Sequence, residues 1–234
     1  MKRLSLIDSR GKDRLLLRNP AGYKGGFWQT YYVDELFCMA ASTENDSFSL
    51  VSEVSGKGKL NVSLTHSPLL DGVAAIRTDI QVWSYNKPIM LIRHKTTNVA
   101  DHIITNAKLF EFMDFDVGGP ASYKDDNGVF DPDTGLMMVY DGNPLVVALA
   151  AQPEPDRWEI SPPTKLLINE DFPDLRQNLE LGPMDVATGL QWNIGNLNPG
   201  ASKSVDIVLA SATSIKEVKA LIPEGWQLFN KKMQ

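Results

Sequence analysis

Apolar and polar side chains alternate along many short segments of this sequence, and this pattern constrains the fold more than any other feature. Between residues 76 and 84 the even positions are apolar or small, whereas Arg77, Asp79 and Gln81 occupy odd positions. Successive side chains of a β-strand point to opposite faces, so the alternation predicts strands with one buried face. The same pattern recurs at residues 48–54, 60–64, 190–194 and 205–209.

Turn-forming residues separate these segments. A hairpin is predicted over residues 136–151, around Asp141-Gly142-Asn143-Pro144. Many strands with almost no helical periodicity favour an all-β fold, a two-layer antiparallel β-sandwich. The chain has 234 residues, a length at which sandwiches occur undivided. We therefore expect a single β-sandwich domain over residues 1–234, with the proline-rich stretch 152–164 as a crossover loop.

One short helix is predicted at the C-terminus. Ser214-Ile215-Lys216-Glu217 matches a capping box, in which the serine accepts from a backbone amide and the glutamate reaches back. Ile215, Val218, Leu221 and Ile222 then share one face. Pro223 is expected to end this helix. A second short helix over residues 171–179 is the alternative to a loop there, although Phe172-Pro173 restricts its start.

Charge and composition argue against several classes of partner. The net charge is −6, which disfavours nucleic acid and anionic membrane surfaces. No apolar run approaches the length that spans a bilayer. The N-terminal residues lack the apolar core of a signal peptide, so the expected location is cytoplasmic by default. A single cysteine, Cys38, excludes an intramolecular disulfide.

Acidic residues concentrate between residues 114 and 135. Asp125, Asn127, Asp131 and Asp133 offer the hard oxygen ligands that calcium prefers, although their spacing is not that of an EF-hand. The sequence thus predicts a calcium site as the one candidate cofactor site, and no cofactor is required. The alternative is a solvated, turn-rich loop in which these side chains form Asx-turns.

Asp114 and Asp116 follow an apolar strand and stand two residues apart, hence on the same face. Two such carboxylates could serve as an acid–base pair if they line a pocket. Glycosidases, however, hold their carboxyl groups across the substrate, usually from different strands. The alternative is a structural role, in which the two aspartates accept from the amides of the following loop.

Aromatic residues supply candidate ligand-binding positions. Trp28 and Tyr31 follow a pair of glycines, and Trp158 lies in the proline-rich connection. Glycines beside aromatic rings permit an exposed platform of the kind that stacks on sugar rings, and core packing is the alternative. His94 and His102 flank a predicted turn, where Asp101 could complete a metal site with them; the alternative is that both are edge or turn residues.

Two stretches of sequence resemble a known family. The first comprises Thr97-Asn98, Asn106, Leu109 and Asp114-Phe115-Asp116, and the second runs through residues 190–200 with its Gly-x-Leu-x-Pro-Gly turn. Together they resemble galactose-mutarotase-like supersandwich domains, such as the sandwich domain that precedes the catalytic barrel of glucoamylase-type glycoside hydrolases. The resemblance implies a large two-sheet sandwich. Isolated domains of this class are often non-catalytic and contact carbohydrate or a neighbouring domain, and the histidine pair and glutamate of the epimerase members have no match here.

These observations lead to three functional hypotheses. The first is a non-enzymatic β-sandwich binding module with carbohydrate as its ligand, through Trp28, Tyr31 and Trp158. The second is a structural or interaction protein that associates with its own copy through a sheet edge or apolar patch. The third is a sugar-processing enzyme that uses Asp114 or Asp116. The sequence contains no motif that identifies a catalytic centre.

Overall fold

The computed structural model describes residues 3–7, 13–18, 26–42, 47–68, 72–118, 124–142 and 144–233. These residues form sixteen strands, one 3₁₀ turn (Pro163–Lys165) and one α-helix, α1 (Ile215–Lys232). The strands are β1 Arg3–Ile7, β2 Asp13–Arg18, β3 Gly26–Val33, β4 Leu36–Ala41, β5 Ser49–Gly56, β6 Lys59–His66, β7 Ile76–Trp83, β8 Ile89–Asn98, β9 Ile104–Asp114, β10 Asn127–Asp131, β11 Leu136–Tyr140, β12 Val146–Gln152, β13 Arg157–Ser161, β14 Glu180–Leu181, β15 Ala187–Leu197 and β16 Ser202–Ala212.

Two antiparallel sheets make up most of the structure. The larger has nine strands in the order β14-β10-β11-β12-β16-β8-β7-β6-β5, and the smaller has five in the order β13-β15-β9-β3-β4. Strands β1 and β2 pair as a separate hairpin. The predicted all-β sandwich with one C-terminal helix is therefore confirmed. The predicted hairpin is also present, since β11 pairs with β12.

The main core lies between the two sheets. Leu109 of β9, Trp192 of β15 and Ile207 of β16 are each no more than 1% exposed and belong to one continuous apolar cluster. Their strands alternate as the sequence predicts, so the neighbouring residues point to the outer faces. This burial of one face per strand drives the association of the layers, at roughly 25 cal/mol per Å² of apolar surface.

Helix α1 covers part of the outer face of the nine-stranded sheet. Ser214 caps it by accepting from the amide of Glu217 at 3.2 Å, as predicted. The Glu217 carboxylate accepts from the Thr213 hydroxyl at 2.8 Å. The prediction that Pro223 ends the helix is wrong, because α1 continues to Lys232. Burial of Phe229 in the second half compensates for the backbone hydrogen bond that the proline removes.

The outer face of the five-stranded sheet is covered by the irregular segment 162–178. Leu166, Ile168 and Leu175 of this segment pack with Phe110 and Phe112 of β9. The segment contains the 3₁₀ turn and no α-helix over residues 171–179, so the helical alternative there is wrong. The segment is held instead by side-chain hydrogen bonds to strands β9, β13 and β15.

Candidate functional site

Part of the nine-stranded sheet keeps a polar outer face that α1 does not cover. The register of the strands aligns its side chains in two rows, each crossing five strands from β5 to β16. The first row is Val54, Asn61, Gln81, Arg93 and Asp206, and the second is Ser52, Ser63, Asp79, Lys95 and Ser204. We call this surface the groove.

The groove has a volume of about 610 Å³, within the range of ligand sites. All members of the two rows line it except Asp206, which lies at its margin. Val54 provides apolar surface at the β5 end, and Met233, after α1, provides it at the helix end. Val62 of β6 and Ile80 of β7 also line the groove, so its lining combines hydrogen-bonding groups with apolar groups in the middle and at two edges.

Arg93 is the most constrained charge of the groove. Its Nε and Nη2 donate to the two carboxylate oxygens of Asp206 at 2.7 and 2.8 Å. Its Nη1 donates to the backbone oxygen of Met233 at 2.8 Å. The hydrogen bond to Asp206 raises the pKa of Arg93. This guanidinium is thus fixed in position by three bonds, which preorganises the floor of the groove.

Asp79 and Lys95 lie side by side in the second row. Asp79 accepts from the Ser63 hydroxyl at 2.7 Å and from Arg77 Nε at 3.2 Å. Lys95 stands opposite Asp79 in the register, but its ammonium forms no ion pair or hydrogen bond with any residue that the structure describes. Lys95 is exposed, so its charge is available to a ligand.

Beneath the groove, the inward-facing residues of β7 and β8 include polar side chains that reach the other sheet. Gln29 donates to the Thr96 hydroxyl at 2.6 Å and accepts from the Thr78 hydroxyl at 2.9 Å. His94 Nε2 lies 3.1 Å from Glu111 Oε2, an ion-pair distance without the angles of a hydrogen bond. These contacts are buried, so they align the sheets rather than meet a ligand.

His94 and His102, the two histidines considered for a shared metal site, lie in different environments. His94 points into the sandwich, whereas His102 is exposed and its Nδ1 lies 3.0 Å from Asp101. The third histidine, His66, hydrogen-bonds with the Tyr31 hydroxyl at 2.6 Å, and burial lowers its pKa. Among the described residues the two histidines therefore form no metal site with Asp101, and of the two only His102 is the exposed turn residue of the alternative interpretation.

The three aromatic residues predicted to bind a ligand do not form one exposed platform. Trp28 is 6% exposed, packs edge-on against Phe112 and lies under segment 162–178. Tyr31 is 0% exposed and faces the other sheet. Trp158 is half-buried and stacks on Phe130 at 3.9 Å between ring centres. The alternative of core packing describes Trp28 and Tyr31, while a ligand role for Trp158 stays a prediction.

The predicted calcium ligands are distributed along an extended strand. Asn127 and Asp131 are the first and last residues of β10, so they lie about 13 Å apart at 3.3 Å per residue. Asp131 accepts from the amide of Asp133 at 3.1 Å, the Asx-turn of the alternative interpretation. Asp125 lies before the strand, and its backbone oxygen accepts from Asn127. Within the described parts of the chain, no three acidic, histidine or cysteine side chains converge as metal ligands.

A separate group of carboxylates lies where β9 ends and β10 begins. Burial, followed by the charges of Asp116 and Asp185, raises the pKa of Asp114 to about 7. Asp126 is 0% exposed, and burial, with the charges of Asp141 and Asp116, raises its pKa to about 8. Asp114 and Asp116 therefore lie close enough for the charge of Asp116 to contribute to the raised pKa of Asp114, and their use as an acid–base pair stays a prediction.

The sequence identified the groove residues only in part. Arg77, Asp79 and Gln81 were recognised as the polar face of one strand. Arg93 and Lys95 continue the same alternation on the next strand, but they were not identified as candidate site residues. The sequence signal for them was their spacing of two residues, which puts both side chains on one face of the strand.

Several solved structures share the fold of this chain. A bacterial glucoamylase complexed with acarbose matches with a TM-score of 0.64, 13% identity, and coverage of 90% of this chain and 29% of that chain. A GalM/aldose epimerase homologue from C. elegans matches with a TM-score of 0.58, 10% identity, and coverage of 92% and 93%. A polysaccharide lyase matches with a TM-score of 0.57, 12% identity, and coverage of 96% and 32%.

These matches confirm the resemblance to galactose-mutarotase-like supersandwich domains at the level of the fold. The chain spans less than a third of the glucoamylase, but nearly all of the epimerase homologue. No protein-family model matches the sequence, and no curated protein sequence matches it. In the described part of the chain, α1 lacks the apolar character that a bilayer-crossing helix needs.

Proposed function

We propose that this protein is a non-enzymatic carbohydrate-binding module whose ligand lies in the groove. The observation that carries the proposal is the pair of polar rows across β5 to β16, which line a groove of about 610 Å³. The proposed ligand therefore lies on the outer face of the nine-stranded sheet, away from Trp28 and Tyr31.

The groove residues have the chemistry that sugars require. The Asn61 and Gln81 amides each offer two donors and an acceptor, which suits neighbouring hydroxyls on a sugar ring. Ser63 and Ser204 add hydroxyl groups along the second row. Val54 provides apolar surface for the C–H face of a ring.

Binding without catalysis is supported by the state of the groove carboxylates. Asp79 is the one carboxylate of the described lining, and it already accepts from Ser63 and Arg77. Asp206, at the margin, is held by both prongs of Arg93. Hydrolysis of a glycosidic bond normally needs two carboxyl groups that flank the bond, with one of them free to protonate the leaving oxygen.

The fold comparisons support a carbohydrate ligand over other small molecules. The matched structures include a glucoamylase complexed with acarbose, an aldose epimerase homologue and a polysaccharide lyase. Their likeness to this chain is one of fold, so the ligand class is inferred from the groove chemistry and the fold together.

The test is a screen of the protein on a glycan array, followed by calorimetric titration of the glycans that bind. The double variant Asn61→Ala/Gln81→Ala should weaken binding at least about tenfold, because two bidentate hydrogen-bonding groups are lost. Gln227→Ala, an exposed amide on α1 outside the groove, is the matched control and should change nothing. Unchanged affinity of the double variant would contradict the proposal that the groove binds the carbohydrate.

A second candidate function, self-association, is favoured by the free edge of the nine-stranded sheet. All eight residues of β5 are exposed, and no described strand pairs with its outer edge. Leu50, Val51 and Val54 are 58–65% exposed, and Glu53 is the strand's one charged residue. Unpaired backbone groups beside apolar side chains favour pairing with another strand, and a second copy of β5 is the occupant that we propose.

The enzymatic alternative has one supporting observation, the raised pKa of Asp114. A carboxyl group with a pKa of about 7 can exchange protons at neutral pH. If Asp114 and Asp116 act on sugars, Asp114→Asn should abolish an activity on glycosides or aldoses without lowering the melting temperature. A variant that lowers the melting temperature together with the activity would point to the structural role instead.

A further inference from the structure

The charges of the groove are not balanced. Three cations, Arg77, Arg93 and Lys95, stand on or beside the two rows, against the two carboxylates Asp79 and Asp206. The groove therefore carries a local excess of one positive charge, although the whole chain carries −6. Salt screens distant charges, so an anion in the groove is affected mainly by the nearest charges. A positive site can therefore attract anions although the net charge of the protein is negative.

Lys95 is the source of this excess. Arg93 is neutralised by Asp206 through two hydrogen bonds, and Arg77 lies 3.2 Å from Asp79. Lys95, among the charged groove residues, forms no ion pair within the described chain. Its two neighbours along the row are Asp79, which is already paired, and Ser204, which is exposed.

The position of Lys95 gives this free charge a ligand-binding geometry. It lies on β8, with two rows of hydrogen-bonding side chains extending over β7 and β6 on one side and β16 on the other. A sugar lying along these rows would present a ring substituent to the ammonium. Ser204 is the register partner of Lys95 on β16, so its hydroxyl is the neighbouring donor for the same substituent.

We infer that the groove selects acidic carbohydrate, with Lys95 as the counter-ion of a carboxylate or sulfate carried by a sugar ring. The inference rests on the proposed function, since it assigns the ligand class of the same groove. A lysine ammonium is a compact point charge that binds either oxyanion, whereas the guanidinium of Arg93 is already bonded to Asp206 and Met233. A neutral sugar would leave the ammonium without a partner from the ligand.

The experiment compares three oligosaccharides of equal length by calorimetric titration at low ionic strength: a galacturonate trimer, a galactose trimer and a sulfated galactose trimer. The wild-type protein should bind the acidic trimers about fivefold more tightly than the neutral one, the effect expected of a solvent-accessible ion pair. Added salt should reduce that ratio. Tight binding of the galacturonate alone assigns the site to carboxylates, and tight binding of both acidic trimers assigns it to oxyanions generally.

Two variants locate the effect. Lys95→Gln should bring the ratio of acidic to neutral affinity close to one. Lys216→Gln removes the same charge from an exposed position at the opposite end of α1, and it should keep the wild-type ratio. Equal affinity of the wild-type protein for the acidic and neutral trimers overturns the inference and leaves the proposed function standing, as does an unaltered ratio in Lys95→Gln. Failure of the wild-type protein to bind any of the three trimers or any arrayed glycan overturns both.

Discussion

The guanidinium of Arg93 on β8 and the carboxylate of Asp206 on β16 form a two-pronged ion pair, with N–O distances of 2.7 and 2.8 Å. The third donor of the guanidinium reaches the backbone oxygen of Met233, and its carbon lies 5.1 Å from the centre of the Phe229 ring. One side chain thus joins two strands of the groove floor to the last turn of α1.

Replacement of Arg93 by lysine should destabilise the protein. A lysine cannot make parallel bonds to Asp206 and also donate to Met233, so we expect a loss of about 1–3 kcal/mol in the free energy of unfolding. Urea denaturation measures this loss. The matched control is Arg77→Lys, because Arg77 forms one bond to Asp79 and is 42% exposed. Equal losses of unfolding free energy in the two variants would show that the two-pronged ion pair of Arg93 with Asp206 stabilises the protein no more than the single bond of Arg77.

Gly225→Ala should also destabilise the protein, although alanine favours an exposed helix by about 1 kcal/mol. Gly225 is buried in α1, and a Cβ there would overlap the Cγ1 methyl of Val208 on β16. Displacement of the helix from the sheet should cost about 1–3 kcal/mol. The double variant Gly225→Ala/Val208→Ala should show favourable coupling in a denaturation cycle. Strict additivity would mean that the helix does not lie this close to Val208.

Asp126 should make stability fall as the pH rises. Its pKa is about 8 in the folded protein, against about 4 in an unfolded chain, so the folded state binds the additional proton between these values. Stability is therefore highest at the acidic end of the window and declines by up to about 1.4 kcal/mol per pH unit towards pH 8. Denaturation of the wild-type protein and Asp126→Asn at several pH values should show a flatter dependence in the variant.

The exposed Asp125 provides the control for this measurement. Asp125→Asn removes a neighbouring carboxylate and should leave most of the wild-type slope in place. Parallel curves for the wild-type protein and Asp126→Asn would contradict the assignment of a proton to Asp126.

Self-association through β5 should respond to a charge on the edge. Val51→Lys places an ammonium on an exposed apolar position, 58% exposed, and should reduce any dimer seen by light scattering. Val99→Lys makes the same change at a turn position outside β5 and should leave the oligomeric state as it is in the wild-type protein. A dimer that persists in Val51→Lys excludes this edge as the interface.

Local patterns in the sequence were sufficient for several strands and for the helix start, whereas β13 lies in the stretch that was predicted to be a crossover loop. The alternation at β7 and the Ser214 cap depend on neighbours within a few residues, so they could be predicted from the chain itself. The continuation of α1 beyond Pro223 could not, because it depends on the packing of Phe229 against a sheet formed by earlier parts of the chain.

The groove and the burial of Trp28 depend on contacts between residues that are distant in the sequence. Asn61, Gln81 and Asp206 become neighbours of Arg93 only through the order and register of β6, β7, β8 and β16. Trp28 is buried by a segment more than 130 positions away, which its glycine-rich surroundings give no means of foreseeing. The sequence thus specified which faces are polar, and the topology decided which of them lie side by side.

The amide of Gln29 has a mechanical consequence for the whole assembly. Both of its ends are bonded to hydroxyls of the opposite sheet, those of Thr78 and Thr96. Apolar packing is not directional, so it permits a lateral displacement of one sheet relative to the other. A displacement by one residue pair would break both hydrogen bonds of Gln29. The Gln29 amide therefore fixes the position of β7 and β8, the strands that carry Asp79 and Lys95, relative to the five-stranded sheet.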